Sequence, residues 1–425
     1  AEEVVQGVRR HYARPNLYVD VSEALAVYGF ADNIDQTDPV STYSDGNSTS
    51  GTAHTIADVT ASLTPNGSRG QITVQMEGTI NSSTRTNNVQ GVSFNTRGVT
   101  SVNAEKDVFF TSEGMVSQRA DARAVTDNTT YNIRANSAQV ESIARQRIAQ
   151  RERSSEYQAA RRAEQRVEAN LNKQIDEQVR EANERLQRDF FAPLARRGVE
   201  PRYNAYSTTS DSLHQRMIMA APEHLAAPVD PPRMKADGDV TARVHASWVN
   251  NFADIALRGT LLTDIALAEA LEERRGEVPE ELQVTDESEP WNLTYASRRP
   301  LWLECDKDQF RITLRGQRFT ARNRVMDEAM HISATYKVKR AGGKISLVRD
   351  GDVEVTFPEQ GEKLSVRYVS MRRFWQTKFS ALFAEEFDEL NLNLRGAWED
   401  AGPLKLTALG VQPNGWIGLA WQMPE

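Results

Sequence analysis

Residues 137–197 read SAQVESIARQRIAQRERSSEYQAARRAEQRVEANLNKQIDEQVREANERLQRDFFAPLARR, and the spacing of the apolar residues in this stretch decides the architecture. Tyr157, Ala160, Val167, Leu171, Ile175, Val179, Ala182, Leu186 and Phe190 fall on one face at helical period, while the other faces are Arg, Glu and Gln. Asn136 with Gln139 three positions on marks a start, and Gly198 followed by Pro201 marks a stop. Pro193 should end or kink the last turn, because proline has no N–H to donate. Such a helix would be on the order of 90 Å long, more than one small domain covers. Four-residue steps dominate over a strict heptad, which favours a helix laid against its own β-domain. A solvated rod or a dimerising coiled coil is the alternative.

The flanks of this helix read as β-structure. After a polar lead at 1–16, alternation at 17–21 predicts a strand, 22–31 a short helix, and 33–54, rich in Asp, Ser, Thr and Gly, a loop. Period-two runs at 59–63, 72–76, 89–94 and 108–110 predict an antiparallel meander of about four to six strands. Asn66-Gly67 between the first two runs is a hairpin signal, since both residues tolerate positive φ. Beyond the helix, 199–219 returns to β, and Pro222, Pro228, Pro231, Pro232 and Asp237-Gly238 make 220–238 a linker candidate. The expected units are therefore 17–219 and 239–425.

The second unit opens with a strand at 240–245, a helix at 246–275 interrupted at Gly259, and an acidic loop to 290. Strands are expected near 291–304, 308–320, 331–339, 344–348, 352–357 and 363–369, a second amphipathic helix at 370–390, and closing strands at 391–396, 404–410 and 415–422.

Length and charge bound the possibilities. A chain of 425 residues exceeds what one core supports, so two domains or three are expected. A formal charge of -8 argues against a general nucleic-acid binder, which needs a basic footprint. The single cysteine, Cys305, excludes an intrachain disulfide and a multi-cysteine zinc site. No apolar run reaches transmembrane length, and the sequence as read leads to the expectation of no signal peptide. The chain opens at Ala1 without a methionine, which fits a processed export product or a trimmed chain equally. Abundant Asn, Ser and Thr at 41–135 tilts the expected location toward the cell envelope, periplasmic or otherwise extracytoplasmic.

An internal repeat ties the two units together. The segment 24–32, ALAVYGFAD, aligns with 246–254, ASWVNNFAD, sharing Ala, Val, Phe, Ala and Asp, and each follows an alternating strand. The terminal apolar runs 213–222 and 415–424 both lead to a proline. This order of strand, helix, meander, amphipathic helix and final strands, with the Val-x-x-Phe-Ala-Asp segments, resembles the tubular lipid-binding superfamily over 17–425. The resemblance implies an α+β fold of two tandem curved antiparallel sheets, each packed on a long helix, with lipid acyl chains bound in the tube. The first helix departs from that pattern by its length, which implies a protruding arm. No lipid-contact residue carries over by alignment.

Signals for chemistry are sparse. The histidines at 11, 54, 214, 224, 245 and 331 show no metal-ligand spacing, and neither a Gly-x-Ser-x-Gly elbow nor a phosphate-binding glycine loop is present. No cofactor and no catalytic residue is expected. Cys305 alternates in phase with Leu301 and Leu303 and reads as a buried small hydrophobe, and Asp350-Gly351-Asp352, which resembles the start of a calcium loop, reads as a hairpin turn. Phe374, Trp375, Phe379, Phe383 and Phe387, with Met371, Leu382 and Leu390, make an aromatic stripe that is either core or the lining of a lipid groove. Arg145, Arg147, Arg151 and Arg153, followed by Arg161, Arg162 and Arg166, make the first half of the long helix basic. They suit anionic head groups or an acidic partner, or a solvated face with the interspersed Glu. The leading expectation is non-enzymatic binding of a lipid-like hydrophobic ligand, with membrane-surface contact. The rival is a scaffold that self-associates or docks partners through the long helix.

Overall fold

A computed structural model describes all residues but 1–6, 9–10, 45, 197–198, 234–237, 287, 322–323, 361–363, 389 and 425. The expected stop at Gly198 and the Asp237 of the expected linker turn lie outside the described residues. The first half runs β1 (Leu17–Ser22), α1 (Glu23–Tyr28), β2 (Asp32–Ser44), β3 (Asn47–Leu63), β4 (Gly70–Asn88), β5 (Ser93–Thr111), β6 (Gly114–Ser117), β7 (Asp121–Arg134), the long helix α2 (Ala138–Leu186), a π-turn (Gln187–Phe191), α3 (Ala192–Ala195), β8 (Tyr203–Thr208) and β9 (Ser212–Ile218). The second runs β10 (Val240–His245), α4 (Ala246–Leu257), β11 (Leu261–Thr263), α5 (Asp264–Arg275), β12 (Trp291–Tyr295), β13 (Leu301–Asp306), β14 (Gln309–Ala321), β15 (Arg324–Met326), β16 (Met330–Ala341), β17 (Lys344–Arg349), β18 (Glu354–Thr356), α6 (Val366–Leu382), β19 (Glu386–Phe387), β20 (Lys405–Val411) and β21 (Trp416–Gln422). The class is α+β, as expected.

In the first half, β2 to β7 form one antiparallel sheet in the order β2-β3-β4-β5, with β6 and β7 sharing the far side of β5. The sheet curls tightly. A Cβ on Gly51 would lie 2.1 Å from the Ser83 carbonyl oxygen, and one on Gly78 2.4 Å from the Ala57 Cβ, so only glycine permits this strand approach. Ala160, Val167, Leu171, Ile175 and Val179 of α2 are buried against Ala57, Val59, Ile72, Val74, Val102, Ala104 and Val108. Ser137 caps the helix start, accepting from the Val140 N–H, one residue after the expected Asn136. The π-turn lies just ahead of Pro193, where the missing N–H interrupts the regular ladder.

The helix also closes the sheet edge. Glu156 Oε1 accepts from Asn128 N at 3.1 Å, Glu164 Oε1 from Ala124 N at 3.1 Å, and Asn172 Oδ1 from Ala120 N at 2.9 Å. Eight helical residues rise about 12 Å and four strand residues about 13 Å, so side chains at this spacing keep step with the edge strand. On the helix's other side Gln174 donates to Asp32 Oδ2 at 3.1 Å and Gln178 to the Gly29 carbonyl at 3.3 Å, so the sheet wraps it there. Toward the helix start the wrapping ceases: of 138–155 all but Glu141, Ala144 and Ile148 are exposed. Tyr157, expected on the packed face, is 63% exposed and carries Arg161 instead, whose Nε donates to its hydroxyl at 3.2 Å.

Several sequence expectations are corrected. Residues 33–44 and 47–54 are strands rather than a loop, with β2 paired to β3 from Asp32↔Val59 to Ser44↔Asn47. Most of this hairpin's side chains face solvent, so the apolar alternation that marks strands is missing, and pairing with β4 supplies the order. Asn66-Gly67 does lie in the hairpin connection between β3 and β4, but without positive φ; the Asn66 side chain accepts from Ser68 N at 3.1 Å and its backbone bridges Thr208. The strand expected at 363–369 is, where described, the entry and first turn of α6; Val366 is 87% exposed there, so its β-branched side chain reported no buried sheet. That helix ends at Leu382 rather than near 390, and the strand expected at 391–396 is a single bridge, Leu392 to Leu404.

The two halves share a third sheet, ordered β20-β21-β10-β1-β9-β8. β1 and β10 pair antiparallel about Val19↔Ala242, each flanked by the last strand of its own half, β9 or β21. The repeat segments thus occupy equivalent places around a local two-fold: α1 follows β1 and α4 follows β10. Asn250 and Asn251, in the second copy, are buried; Asn250 pairs with both backbone groups of Leu303 at 3.1 and 2.7 Å, and Asn251 donates to the Met219 and Leu225 carbonyls. Between β9 and β10, Met219, Ala220, Ala221, Ala226 and Ala227 are buried, so this part of the Pro-rich segment is packed.

Candidate ligand-binding site

The aromatic stripe is brought together as expected, but its rings face one another. Trp375 and Phe379 are 0% and 1% exposed, and Phe383 is buried; Phe374 and Phe387 are partly buried against the same core. Trp375 stands edge-on to Trp291 at 5.3 Å, to Phe374 at 5.5 Å and to Phe319 at 5.9 Å; Phe379 meets Phe383 at 6.2 Å, and Phe387 meets Tyr336 at 5.5 Å. The Trp375 indole N–H is buried without a hydrogen-bond partner. Arg349 fixes the end of α6, donating to the Phe383 carbonyl, to the Ser380 carbonyl at 3.3 Å and, through Nε, to the Gly351 carbonyl at 3.1 Å.

Arg145, Arg147, Arg151 and Arg153 are all exposed on the projecting part of α2. Arg145 pairs with Glu141 at 2.7 Å; among the described residues no ion pair involves Arg147, Arg151 or Arg153. The sequence reading placed these four correctly on one helix but gave no sign of how far they stand from the aromatic stripe of the other half.

A surface that sequence reasoning missed lies on the shared sheet. Because paired residues in a ladder present their side chains to the same face, Leu17, Val19 and Val21 align with Val244, Ala242 and Val240, then with Ile417, Leu419 and Trp421 on one side and Met217, Gln215 and Leu213 on the other. One corner, Val21 and Leu213, belongs to the first-half core, and the opposite corner, Ile417 with Val411, to the second. The Val19 end also meets Trp398, Leu392 and Leu394; the Leu17 end meets Phe190, Trp248 and Phe252. Between these corners Val19, Ala242, Val244 and Leu419 are only partly buried. At the Leu17 end the Trp248 indole N–H is buried without a hydrogen-bond partner among the described residues. Alternation at 17–21 and 240–245 was legible, but not that the two strands lie side by side.

The opposite face of this sheet is charged. Asp20 accepts from Arg243 and Thr241 and lies 2.6 Å from His214 Nδ1, while Arg14 and Tyr18 engage Asp230. Burial, then the Asp230 charge, raises the Tyr18 pKa, so its hydroxyl stays a donor. A second cluster holds Asp254: His224 Nε2 at 2.9 Å, Arg258 Nη2 at 2.6 Å and Arg299 N at 2.6 Å. Burial pushes that carboxyl's pKa up, but these hydrogen bonds and the Arg258 charge outweigh it, so the net shift is downward. Cys305 is partly buried, and burial raises its thiol to about 11, which keeps it protonated. Asp350 pairs with Lys337 at 2.8 Å beside Gly351 at φ +82°, but the expected hairpin is not formed, because β17 and β18 on either side both pair with β16 rather than with each other. No group of three or more His, Cys, Asp or Glu side chains suited to a metal ion occurs among the described residues.

The element order matches the tubular lipid-binding resemblance. Each half carries a curved antiparallel sheet with an amphipathic helix packed on it, and the halves meet in the shared sheet. No family model matches the chain and no curated protein matches it. Among solved structures it is similar to lipopolysaccharide binding protein, at 10% identity over 97% of this chain and 99% of that one, with a TM-score of 0.28. It is also similar to P47 from Clostridium botulinum A2, at 9% identity over 97% and 98% of the chains and a TM-score of 0.25. P47 of Clostridium botulinum E1 follows at 8% identity over 96% and 99%, with a TM-score of 0.24. No helix among the described residues is long and apolar enough to cross a membrane.

Proposed function

We propose that this protein binds a lipid-like hydrophobic ligand, without converting it, against the apolar face of the shared sheet. The observation that carries this reading is the partly exposed middle of that face, Val19, Ala242, Val244 and Leu419, lying between two side-chain-filled cores. An acyl chain laid there would cover apolar surface at about 25 cal/mol per Å². The reading moves the ligand away from the stripe at Phe374, Trp375, Phe379, Phe383 and Phe387, whose rings already pack on the core. Arg147, Arg151 and Arg153, exposed on the arm, would meet anionic head groups, and a cell-envelope setting is supported by the Ser, Thr and Asn of 41–135.

The test is denaturing mass spectrometry of a lipid extract from purified protein, beside Ala242→Trp, which fills the face. Stoichiometric acyl lipid in the wild type, lost in Ala242→Trp with the fold retained, is expected. Absence of acyl lipid, together with no uptake of a fluorescent fatty acid, would sink the reading.

A second reading, self-association through the arm, is favoured by the exposure of Val140 at 40% and Ile143 at 52% on an otherwise charged helix. Light scattering decides it: a monomeric mass at every concentration removes it.

A further inference from the structure

Two guanidinium groups converge on one indole on the outer face of the second sheet. Arg299 Cζ lies 4.5 Å and Arg315 Cζ 5.9 Å from the ring centroid of Trp302. Leu301, Leu303 and Leu314 belong to the second-half core, so the alternating Trp302 and Arg315 face away from it.

The backbone builds this arrangement. The β12–β13 connection is clamped around Arg315: Ala296 N donates to the Arg315 carbonyl and Arg315 N to the Pro300 carbonyl, both at 2.8 Å. Thr294 faces Arg318 while Tyr295 faces Gly316, a bulge that leaves Gln317 without an opposite residue. Gln317 Oε1 then accepts from Ser297 N at 3.1 Å. Arg299 sits at φ +51°, a left-handed conformation that a non-glycine side chain disfavours, and its N–H is anchored on Asp254. A strained residue held from several sides, beside a bulge that re-aims side chains, is what fixed presentation of a group requires.

Other arginines on the strand of Arg315 are ion-paired. On the same strand Arg311 pairs with Glu354 at 2.5 Å and Arg318 with Asp327 at 3.2 Å. No ion pair among the described residues involves Arg299 or Arg315, and Arg315 Nε is buried without a hydrogen-bond partner. His331 is the ladder partner of Arg315, and burial, then the Arg315 charge, lowers its imidazole pKa. An indole face attracts cations but supplies no counter-charge.

We propose that Arg299 and Arg315, held over Trp302, bind the phosphate group of an anionic ligand. Each guanidinium offers five donors in a planar fork. Two such forks exceed what the two oxygens of one carboxylate accept and suit the several oxygens of a phosphate. The group is either free phosphate or a lipid phosphate head group, and the site is separate from the apolar face of the shared sheet.

The experiment uses the full chain and two probes. Inorganic phosphate is titrated calorimetrically, with acetate as the comparison. Flotation is measured with phosphatidylcholine vesicles with and without phosphatidic acid. Wild type is expected to bind at least one probe saturably, with Arg299→Gln and Arg315→Gln each weakening it roughly tenfold or more. Phosphate binding lost in the variants assigns the free anion; vesicle binding alone, lost in the variants, assigns the head group. If Arg315→Gln fails to fold by circular dichroism, Arg299→Gln and Trp302→Ala decide. Binding of neither probe, binding unchanged in the variants, or equal binding of acetate overturns the proposal. Failure here leaves the lipid-extract result untouched, because that readout does not involve these arginines.

Discussion

Asn183 on the long helix donates to the Met115 carbonyl and accepts from the Met115 N–H, both at 2.8 Å. The side-chain amide thereby stands in for a paired strand on the outer edge of β6. Asn250 does the same for Leu303 in the other half, and Asn16 for Met219 at 3.1 and 2.9 Å. An unpaired edge is a liability that proteins cover with a helix or a loop, and here single asparagines complete the cover.

Replacing Asn183 by Leu removes both bonds and leaves the Met115 amide group half-buried without partners. A loss of about 1–3 kcal/mol is expected in urea denaturation. Asn183→Asp keeps the acceptor and should cost less. A Leu variant as stable as wild type would show that water replaces the amide at no cost.

Lys106 is buried, its side chain 1% exposed, and its ammonium reaches the Gln118 carbonyl at 2.6 Å, Asn172 Oδ1 at 2.7 Å and Asp176 Oδ1 at 2.8 Å. Burial pushes the Asp176 pKa up, but hydrogen bonds from Lys106 and Ser117 and the Lys106 charge hold it below its ordinary value. A depressed carboxyl pKa contributes stability above its unfolded-state value, about 3.9, and that contribution is lost as pH falls through the folded-state value. Lys106→Met is expected to lower Tm at pH 7 and to flatten the fall in Tm on acidification to pH 3. Parallel Tm–pH curves for the two proteins would contradict this.

Asp254 ties together α4, the Pro-rich segment through His224 and the loop at Arg299. Its pKa is also lowered, so the same sign holds: its contribution is present at neutral pH and disappears as pH falls through the folded-state value. Asp254→Asn should reduce Tm at pH 7 more than at pH 3, with amide exchange faster at 221–225 and 297–300. Equal Tm losses at the two pH values would separate the residue from any charge role.

Phe379→Ala tests whether the aromatic stripe is core or groove. A fully buried ring should cost about 3–5 kcal/mol on truncation, with lipid content per folded molecule unchanged. A variant that keeps its stability and loses its lipid would return the ligand to the stripe.

Val140→Arg with Ile143→Arg should change stability by no more than about 0.5 kcal/mol, since both side chains lie on the exposed arm. A dissociating oligomer in sedimentation would assign the arm to self-contact; an unchanged mass would leave it to other surfaces.

The sequence by itself determined what depends on local period. The face of the long helix from Ala160 to Val179, the meander, the break at Gly259, where φ is +63°, and the repeat at 24–32 and 246–254 follow from residues within a few turns of one another. The tertiary structure decided what depends on distant neighbours. Residues 33–44 and 47–54 are strands because β4 completes their ladder, and Val19 lies beside Ala242 because two strands more than 200 positions apart pair. Phe379 is core and Leu419 only partly buried although both are apolar residues in regular elements, and among the described residues Arg315 has no ion pair where Arg311 has one. Periodicity tells which side chains share a face, because helix and strand geometry repeats locally. What covers that face, or balances its charge, is set by chain segments far away in sequence.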